Sequence, residues 1–279
     1  MAYFSPEKAS EDAINILNRA VAQERALSPF EIKRITRNLD SVKRSGFMVE
    51  YHTTAACFYS IIGDINNLID CVDSVFSSSH SEPKDKLQVI LALNNALRYS
   101  DIYNYLSSFD DNDFIDEPSY IDAALNAMII NFDFDSVKKI ESRVSSVIKK
   151  NEDLMVSFAL ADAIERFYIN KKCNQEYKKY IINVMDWYSE NIMGRARDLL
   201  GQSSLSYNFY EDEAIDFLSI SIDFRKSDID SLLEFEDELI SYIAKTDFYS
   251  EVKSSISFSL SFRDDVEDGI MKERVKIYD

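Results

Sequence analysis

The densest group of side chains able to do chemistry is the acidic run Asp110–Glu117, whose composition is typical of calcium-binding loops. Such loops place oxygen ligands at alternate positions and require a glycine at the sixth position for a sharp turn. Counted from Asp111, Ile115 stands at the fifth position and Asp116 at the sixth. The run therefore fits a solvated loop between helices better than a calcium site.

Other motifs that hold metals or cofactors are missing from the sequence. The two histidines, His52 and His80, have no partner at a zinc-binding spacing, and no CxxC pair accompanies them. The five glycines form neither GxGxxG nor a phosphate-binding loop, and no GxSxG presents a nucleophilic serine. We accordingly predict a non-catalytic protein with no metal, no cofactor and no catalytic residue.

One enzymatic alternative stays open, a metal-dependent nuclease. Glu251-Val252-Lys253 is an ExK triplet, and Asp223 on a predicted strand would supply a further carboxylate. A metal site of this kind needs its carboxylates to converge on one cleft. Clustering of Asp223, Glu251 and Lys253 would favour this alternative.

The composition of the chain favours helices. It has 279 residues, of which 46% are hydrophobic, and this is enough for a sizeable packed core. There are only five glycines and four prolines, against about 20 and 14 in an average protein of this length. Each proline follows a serine or a glutamate, so we predict that helices begin at Pro6, Pro29, Pro83 and Pro118.

Between these helix starts a unit of two helices is repeated. Small residues are followed by an apolar stretch and then by an aspartate, and these aspartates are 37 and 32 residues apart. We predict that each aspartate caps the second helix of a pair. The small residues and the aspartates are Ala55–Ala56 with Asp64, Ala92 with Asp101, and Ala123–Ala124 with Asp133.

This pattern resembles tetratricopeptide-like and HEAT-like helical-hairpin repeats over about residues 47–187. The resemblance implies antiparallel helix pairs that stack side by side. An irregular helical bundle is the alternative.

The C-terminal part of the chain has a different pattern. Two segments alternate apolar and polar residues, which predicts strands with one buried face and with Ser-rich faces open to solvent. The strands are predicted at residues 205–210, 218–225, 255–262 and 275–278, with a helix at 226–245. We therefore predict a mainly α protein, with a helical body over residues 1–200 and an acidic α+β module over residues 201–279.

The charge balance bears on the choice of partner. The formal net charge is −18, of which −11 belongs to residues 201–279. A field of this sign repels nucleic acid and anionic lipid and attracts basic proteins. No apolar run approaches the about 20 residues of a membrane span, and three scattered cysteines favour a reducing compartment. We predict a cytoplasmic protein that binds neither nucleic acid nor membrane; acidity that only maintains solubility is the alternative.

The leading hypothesis is an acidic inhibitor of a basic protein partner, of the immunity-protein or antitoxin type. The second is a scaffold or regulator that holds a peptide segment in a tyrosine-lined groove of the repeats. An exposed edge of the C-terminal sheet would also allow homo-oligomers. The predicted partner-binding residues are Asp110, Asp111, Asp113, Asp116, Glu117, Glu234, Glu236, Asp237, Glu238, Tyr99 and Tyr103.

Overall fold

The computed structural model describes residues 6–23, 25–108, 117–148, 150–200, 203–210, 217–224 and 228–262. Within these ranges the chain forms 13 α-helices and a three-stranded sheet. The predicted fold class is confirmed, since the protein is mainly α with a small α+β module at its C-terminal end. No described helix is both long and apolar enough to cross a membrane.

The first eight helices form four successive pairs. The first helices of the pairs contact one another in sequence, and α9 (Glu152–Asn170) continues this row. The pairs are α1 (Pro6–Ala22) with α2 (Pro29–Arg44), α3 (Met48–Ile62) with α4 (Ile65–Ser77), α5 (Pro83–Asn95) with α6 (Tyr99–Leu106), and α7 (Pro118–Ile130) with α8 (Phe134–Ile148).

Four of the described helices begin at a proline, as predicted. The proline ring fixes a helical φ, and the N–H that proline lacks would have no intrahelical partner in the first turn. Helix α2 shows the complete cap. The Ser28 hydroxyl accepts the Glu31 N–H at 3.3 Å, and the Ser28 N–H donates to the Glu31 carboxylate at 2.9 Å. This reciprocal pair is a capping box, which satisfies two backbone donors at once.

The turns after α3, α5, α7 and α9 share one backbone geometry. Gly63, Leu97, Phe132 and Lys172 all have a positive φ, between 50° and 73°. The N–H of each following residue bonds the carbonyl five residues back, over 2.9–3.0 Å, which is the hydrogen bond of a Schellman motif. These turns are spaced by 34, 35 and 40 residues. The first two spacings are close to the period of about 34 residues of tetratricopeptide-like repeats, and the third is close to the about 40 residues of HEAT-like repeats.

The turn geometry corrects one predicted cap. Asp64 accepts the Asn67 N–H and Asp133 accepts the Ser136 N–H, so both cap the second helix of their pair as predicted. The prediction for Asp101 is wrong, because Arg98 holds the equivalent position before α6 and Asp101 lies inside the first turn of that helix.

The rest of the described chain returns along this row of helices and ends in the sheet. Helix α10 contacts α6 and α7, and α11 reaches α3. Strand β2 is central, antiparallel to β1 and parallel to β3, and two helices connect β2 to β3. These elements are α10 (Gln175–Asn191), α11 (Met193–Leu200), β1 (Ser203–Tyr210), β2 (Phe217–Phe224), α12 (Ile229–Lys245), α13 (Ser250–Ser255) and β3 (Ile256–Phe262).

The strands lie close to the predicted ones, except that the segment 275–278 falls outside the described residues. Their apolar face packs on the helices, with Phe209 5.8 Å from Phe167 and Phe258 5.7 Å from Tyr180 between ring centroids. The hydrophobic core is therefore continuous across residue 200. The prediction that the opposite, Ser-rich face is open to solvent is wrong at its centre, where Ser221 and Asp223 are buried.

Candidate functional site

The predicted acidic loop is largely outside the described residues. Asp110, Asp111, Asp113 and Asp116 all fall there. Glu117 is the residue that precedes α7, and it is exposed. The loop therefore provides one carboxylate with a described position.

The two predicted tyrosines do not form an open surface. Tyr99 is only 4% exposed and belongs to the core, so its prediction as a surface contact is corrected. Tyr103 is partly exposed, but its hydroxyl donates to the Asp133 carboxylate over 2.9 Å. The Lys178 ammonium lies 5.2 Å from the centroid of the same ring. Tyr103 thus joins α6 to the start of α8 and to α10.

Helix α12 places three of its four predicted carboxylates along one open groove between α10 and α12, which we call the acidic groove. Its volume is about 570 Å³. Glu234 and Asp237 are exposed, whereas Glu238 is partly buried. The groove is lined by Trp187, Glu234, Asp237, Glu238, Ser241, Tyr242 and Lys245.

The fourth carboxylate, Glu236, points to the sheet instead. It accepts the backbone N–H of Leu260 over 3.4 Å. Among the described strands β3 lies at an edge of the sheet, where an unpaired N–H would otherwise be free to pair with another chain. Glu236 therefore protects this edge and does not belong to the acidic groove.

Two aromatic side chains form the apolar part of the acidic groove. The rings of Trp187 and Tyr242 stack with their centroids 4.2 Å apart and their planes 5° from parallel. The Tyr242 hydroxyl donates to the Asn183 side-chain oxygen over 2.5 Å, which fixes the tyrosine ring on α10. The pair is consequently held in place before any partner arrives.

Glu238 differs from the other carboxylates of the groove because it already has a partner. Arg195 on α11 donates to it through both terminal nitrogens, at 3.0 and 2.6 Å. The same guanidinium lies 5.3 Å from the centroid of the Phe235 ring. The bond to Arg195 holds the pKa of Glu238 below its usual value. Within the described chain neither Glu234 nor Asp237 has an ion pair of this kind, although the charge of Glu234 also acts on Arg195 and raises the pKa of that guanidinium.

A second acidic group, the Arg98 cluster, borders the groove. Arg98 forms ion pairs with Asp101 at 2.6 Å, Glu190 at 3.0 Å and Asp186 at 3.4 Å. Three carboxylates around one guanidinium leave an excess of negative charge. Burial raises the pKa of Asp186 to about 6, against the opposing effect of Arg98. Glu190 and Asp186 also act on the hydroxyl of Tyr242, so the two acidic groups are close in space.

Polar groups are also buried where α11 meets the repeats. Arg197 is 4% exposed, and its guanidinium donates to the Ser60 carbonyl at the end of α3. Its Nε atom has no acceptor among the residues whose positions are described. Tyr188 and Tyr207 are buried in the same region, and Tyr207 donates to Asn126 on α7 over 3.4 Å. These contacts attach α10, α11 and β1 to the row of helices.

The described residues contain no group of three His, Cys, Asp or Glu side chains placed to hold a metal ion. The three cysteines are free thiols. Burial raises the pKa of Cys71 and of Cys173 to about 12, so neither is a thiolate near neutral pH. Burial likewise lowers the pKa of His52, whose Nδ1 has no partner.

The residues of the nuclease alternative are not brought together. The Asp223 carboxylate accepts hydrogen bonds from Ser221 and from Ser261, near the C-terminal end of β3. Glu251 and Lys253 lie on α13, before the other end of that strand. The Lys253 ammonium donates to the Thr246 carbonyl over 2.5 Å. The five residue steps from Ile256 to Ser261, about 16 Å at 3.3 Å per residue, separate the two places.

The sequence analysis missed the aromatic pair and the Arg98 cluster. Trp187 is the only tryptophan, and Asp186 and Glu190 stand four residues apart on α10, which puts them on one face of a helix. That spacing was a usable signal. The sequence gives no signal that these carboxylates lie close to Arg98 and Tyr242, which are 88 and 56 residues away from Asp186.

The chain was compared with protein-family models, with curated proteins and with solved structures. No family model matches the chain, and no curated protein and no solved structure has detectable similarity to it.

Proposed function

We propose that this is a non-catalytic binding protein that holds a basic protein partner in the acidic groove, in the manner of an immunity protein or an antitoxin. One observation carries the proposal. The exposed carboxylates of Glu234 and Asp237, which form no ion pair within 4.0 Å in the described part of the chain, border the stacked Trp187–Tyr242 pair. The carboxylates would attract a basic partner electrostatically, and the aromatic rings would make apolar contact with it once it is bound.

Each part of the groove has a distinct expected role. Tryptophan and tyrosine are the residues that most often dominate binding energy at interfaces, and an arginine or lysine of the partner would stack on their faces. The carboxylates would speed the encounter, since complementary charge raises association rates from about 10⁵–10⁶ to as much as about 10⁹ M⁻¹s⁻¹ at low salt. Asp186 and Glu190 extend the negative field beyond the groove.

A peptide held against the repeats has less support. The tyrosines near the repeat turns, Tyr99, Tyr188 and Tyr207, are all buried. Helices α10 and α11 and strand β1 occupy that face of the described structure. A peptide would have to displace the chain's own C-terminal elements to reach it.

The test is co-expression of the tagged chain with the products of its neighbouring genes, followed by affinity purification at about 50 mM salt, where surface charges are weakly screened. We expect a small basic protein to co-elute with the wild type. The variant Glu234→Lys/Asp237→Lys should lose it, because two attractive charges become repulsive. Raising the salt to about 0.5 M should weaken the wild-type complex.

The matched control is Asp70→Lys/Asp162→Lys, which makes the same change of net charge at exposed positions on α4 and α9. This control should retain the partner. The proposal fails if no protein co-elutes at low salt. Equal binding by the groove variant and the control would also contradict it.

A further inference from the structure

The solvent-facing side of α2 is basic and carries an exposed phenylalanine. Phe30 is 73% exposed in the first turn. Lys33, Arg37 and Arg44 are exposed, and the helical period of 3.6 residues puts them on the same side as Phe30. The helix contains five basic and two acidic residues, a net charge of +3.

The cations of this face are only partly offset by the described part of the chain, because exposed Asp40 lies three residues after Arg37 and four before Arg44 on the same helix. Lys33, Arg37 and Arg44 form no ion pair there, whereas their neighbour Arg34 is 3.5 Å from Asp12. Residues 1–50 contain eight basic and seven acidic residues, so this region departs from the strongly negative balance of the whole chain. An exposed apolar ring surrounded by unpaired cations is the anatomy of a contact surface.

Helix α12 shows the complementary arrangement. Its buried side packs on the protein, yet Ile229, Leu233 and Ile240 are 62%, 51% and 53% exposed. At positions i, i+4 and i+11 these three form one apolar stripe along the helix. Asp237 stands beside the stripe, and Glu234 lies about a third of a turn from it, on the side of the acidic groove. The helix contains five acidic residues and one basic residue, a net charge of −4.

We propose that the basic face of α2 in one copy docks on the apolar stripe and the carboxylates of α12 in a second copy. Phe30 would pack between Leu233 and Ile240, and Lys33 and Arg37 would pair with Glu234 and Asp237. The pairing is geometrically reasonable, because Lys33 and Arg37 are about 6 Å apart along one helix and Glu234 and Asp237 about 4.5 Å apart along the other.

The net charge of −18 on each copy opposes this contact only weakly at physiological salt. The Debye length there is about 8 Å, so charges farther apart than that are largely screened while adjacent opposite charges still attract. Burial of the exposed Phe30 ring against the stripe adds an apolar contribution to the contact.

This self-association does not depend on the function proposed above. Both would use Glu234 and Asp237, so a basic partner and a second copy would compete for α12. Self-association is measured on the purified chain alone, and its failure would leave the binding of a partner untouched.

Sedimentation velocity of the full-length chain at several concentrations up to about 200 µM and at about 0.15 M salt tests the contact. We expect a concentration-dependent shift of the wild type to larger species. Lys33→Glu/Arg37→Glu and Glu234→Lys/Asp237→Lys should each weaken self-association at least about tenfold, the effect of a 1.4 kcal/mol change. An equimolar mixture of the two variants should form a dimer, because one variant retains a basic α2 and the other an acidic α12.

Two charge-matched variants serve as controls, Lys139→Glu/Lys150→Glu and Asp70→Lys/Asp162→Lys, all at exposed positions. Both should self-associate as the wild type does, and circular dichroism should show every variant folded. A wild type that stays monomeric throughout the concentration range overturns the proposal. So does a mixture of the two α2 and α12 variants that remains monomeric.

Discussion

Two arginines attach α10 and α11 to the ends of the repeat helices, and they do so with opposite chemistry. Arg98 lies among three carboxylates from α6 and α10. Arg197 has no carboxylate partner among the described residues, and its guanidinium bonds the Ser60 carbonyl at the C-terminal end of α3. One site therefore has too much negative charge for its arginine, and the other has too little.

The two arginines therefore allow the effect of positive charge on stability to be distinguished from the effect of side-chain volume. A helix C-terminus carries about half a negative charge, which compensates a buried guanidinium less well than a carboxylate does. Burial accordingly lowers the pKa of Arg197 to about 10. At the other site burial raises the pKa of Asp186 to about 6. We infer that Arg197 stabilises the fold mainly by filling space, and Arg98 mainly by its positive charge.

The largest expected effect comes from Gly63→Ala, at the turn that α11 approaches beside Arg197. Gly63 has φ +73°, and an added Cβ would lie 2.8 Å from the Gly194 nitrogen, where neither backbone can yield cheaply. The free energy of unfolding should fall by about 3–4 kcal/mol, from the left-handed backbone and the overlap together. Urea denaturation measures it.

Gly46→Ala is the control for that substitution. Gly46 also has a positive φ, +81°, but nothing lies within 4 Å of an added Cβ. A loss of about 1 kcal/mol is expected there from the backbone alone. Equal losses at the two glycines would show that the close approach of α11 does not matter for stability.

The next effect distinguishes the two arginines directly. Arg197→Ala should lower the free energy of unfolding by about 3 kcal/mol, because it leaves a cavity and an unpaired Ser60 carbonyl. Arg197→Met also leaves the Ser60 carbonyl unpaired, but it restores most of the volume and removes the buried charge, so its loss should be about half that of alanine. If methionine were as harmful as alanine in urea denaturation, the guanidinium itself would be the stabilising group.

Arg98 should show the reverse pattern. The side chain of Arg98 is 9% exposed. Arg98→Met should cost about 2 kcal/mol, nearly as much as Arg98→Ala, because in both variants three carboxylates lose their shared cation. Rescue by methionine at this position, measured by the same denaturation, would remove the distinction between the two sites.

The smallest effect is the pH dependence due to Asp186. Its pKa of about 6 in the folded protein exceeds the about 3.9 of a free aspartate. The native state therefore holds an extra proton between about pH 4 and pH 6, and the free energy of unfolding falls as the pH rises through that window.

Asp186→Asn should flatten this slope and raise the free energy of unfolding at pH 7 by about 1 kcal/mol, a figure reduced for the partial exposure of the side chain. Ser100 donates to the carboxylate at 3.1 Å and can donate equally to the amide oxygen of asparagine. Denaturation at several pH values checks both parts. An unchanged slope would mean that another group titrates there.

The helices and strands were predictable because their signals are local. Proline after serine or glutamate marks the start of α1, α2, α5 and α7, and period-2 alternation marks β2 and β3. The repeat register was misplaced by three residues at Asp101 because the turn residue there is Leu97. A leucine with positive φ gives no sequence signal of the kind that Gly63 gives.

The candidate site was predictable only in part. The acidic composition of α12 drew attention to Glu234, Asp237 and Glu238, and all three line the acidic groove. The same reasoning selected Tyr99, because residue type says nothing about burial between distant elements. Glu236 was included for its charge alone, although the path of β3 gives it a backbone donor to satisfy.

The left-handed turns have a consequence for how the repeats assemble. Leu97, Phe132 and Lys172 adopt a backbone conformation that a β-carbon disfavours by about 1–2 kcal/mol each, and Gly63 does not bear that cost. Isolated fragments containing α5–α6 or α7–α8 would therefore open at their connections. These hairpins need contacts with neighbouring helices to remain closed, so the repeats should unfold as one cooperative unit. The α3–α4 hairpin, closed by Gly63, is then the segment best suited to fold early.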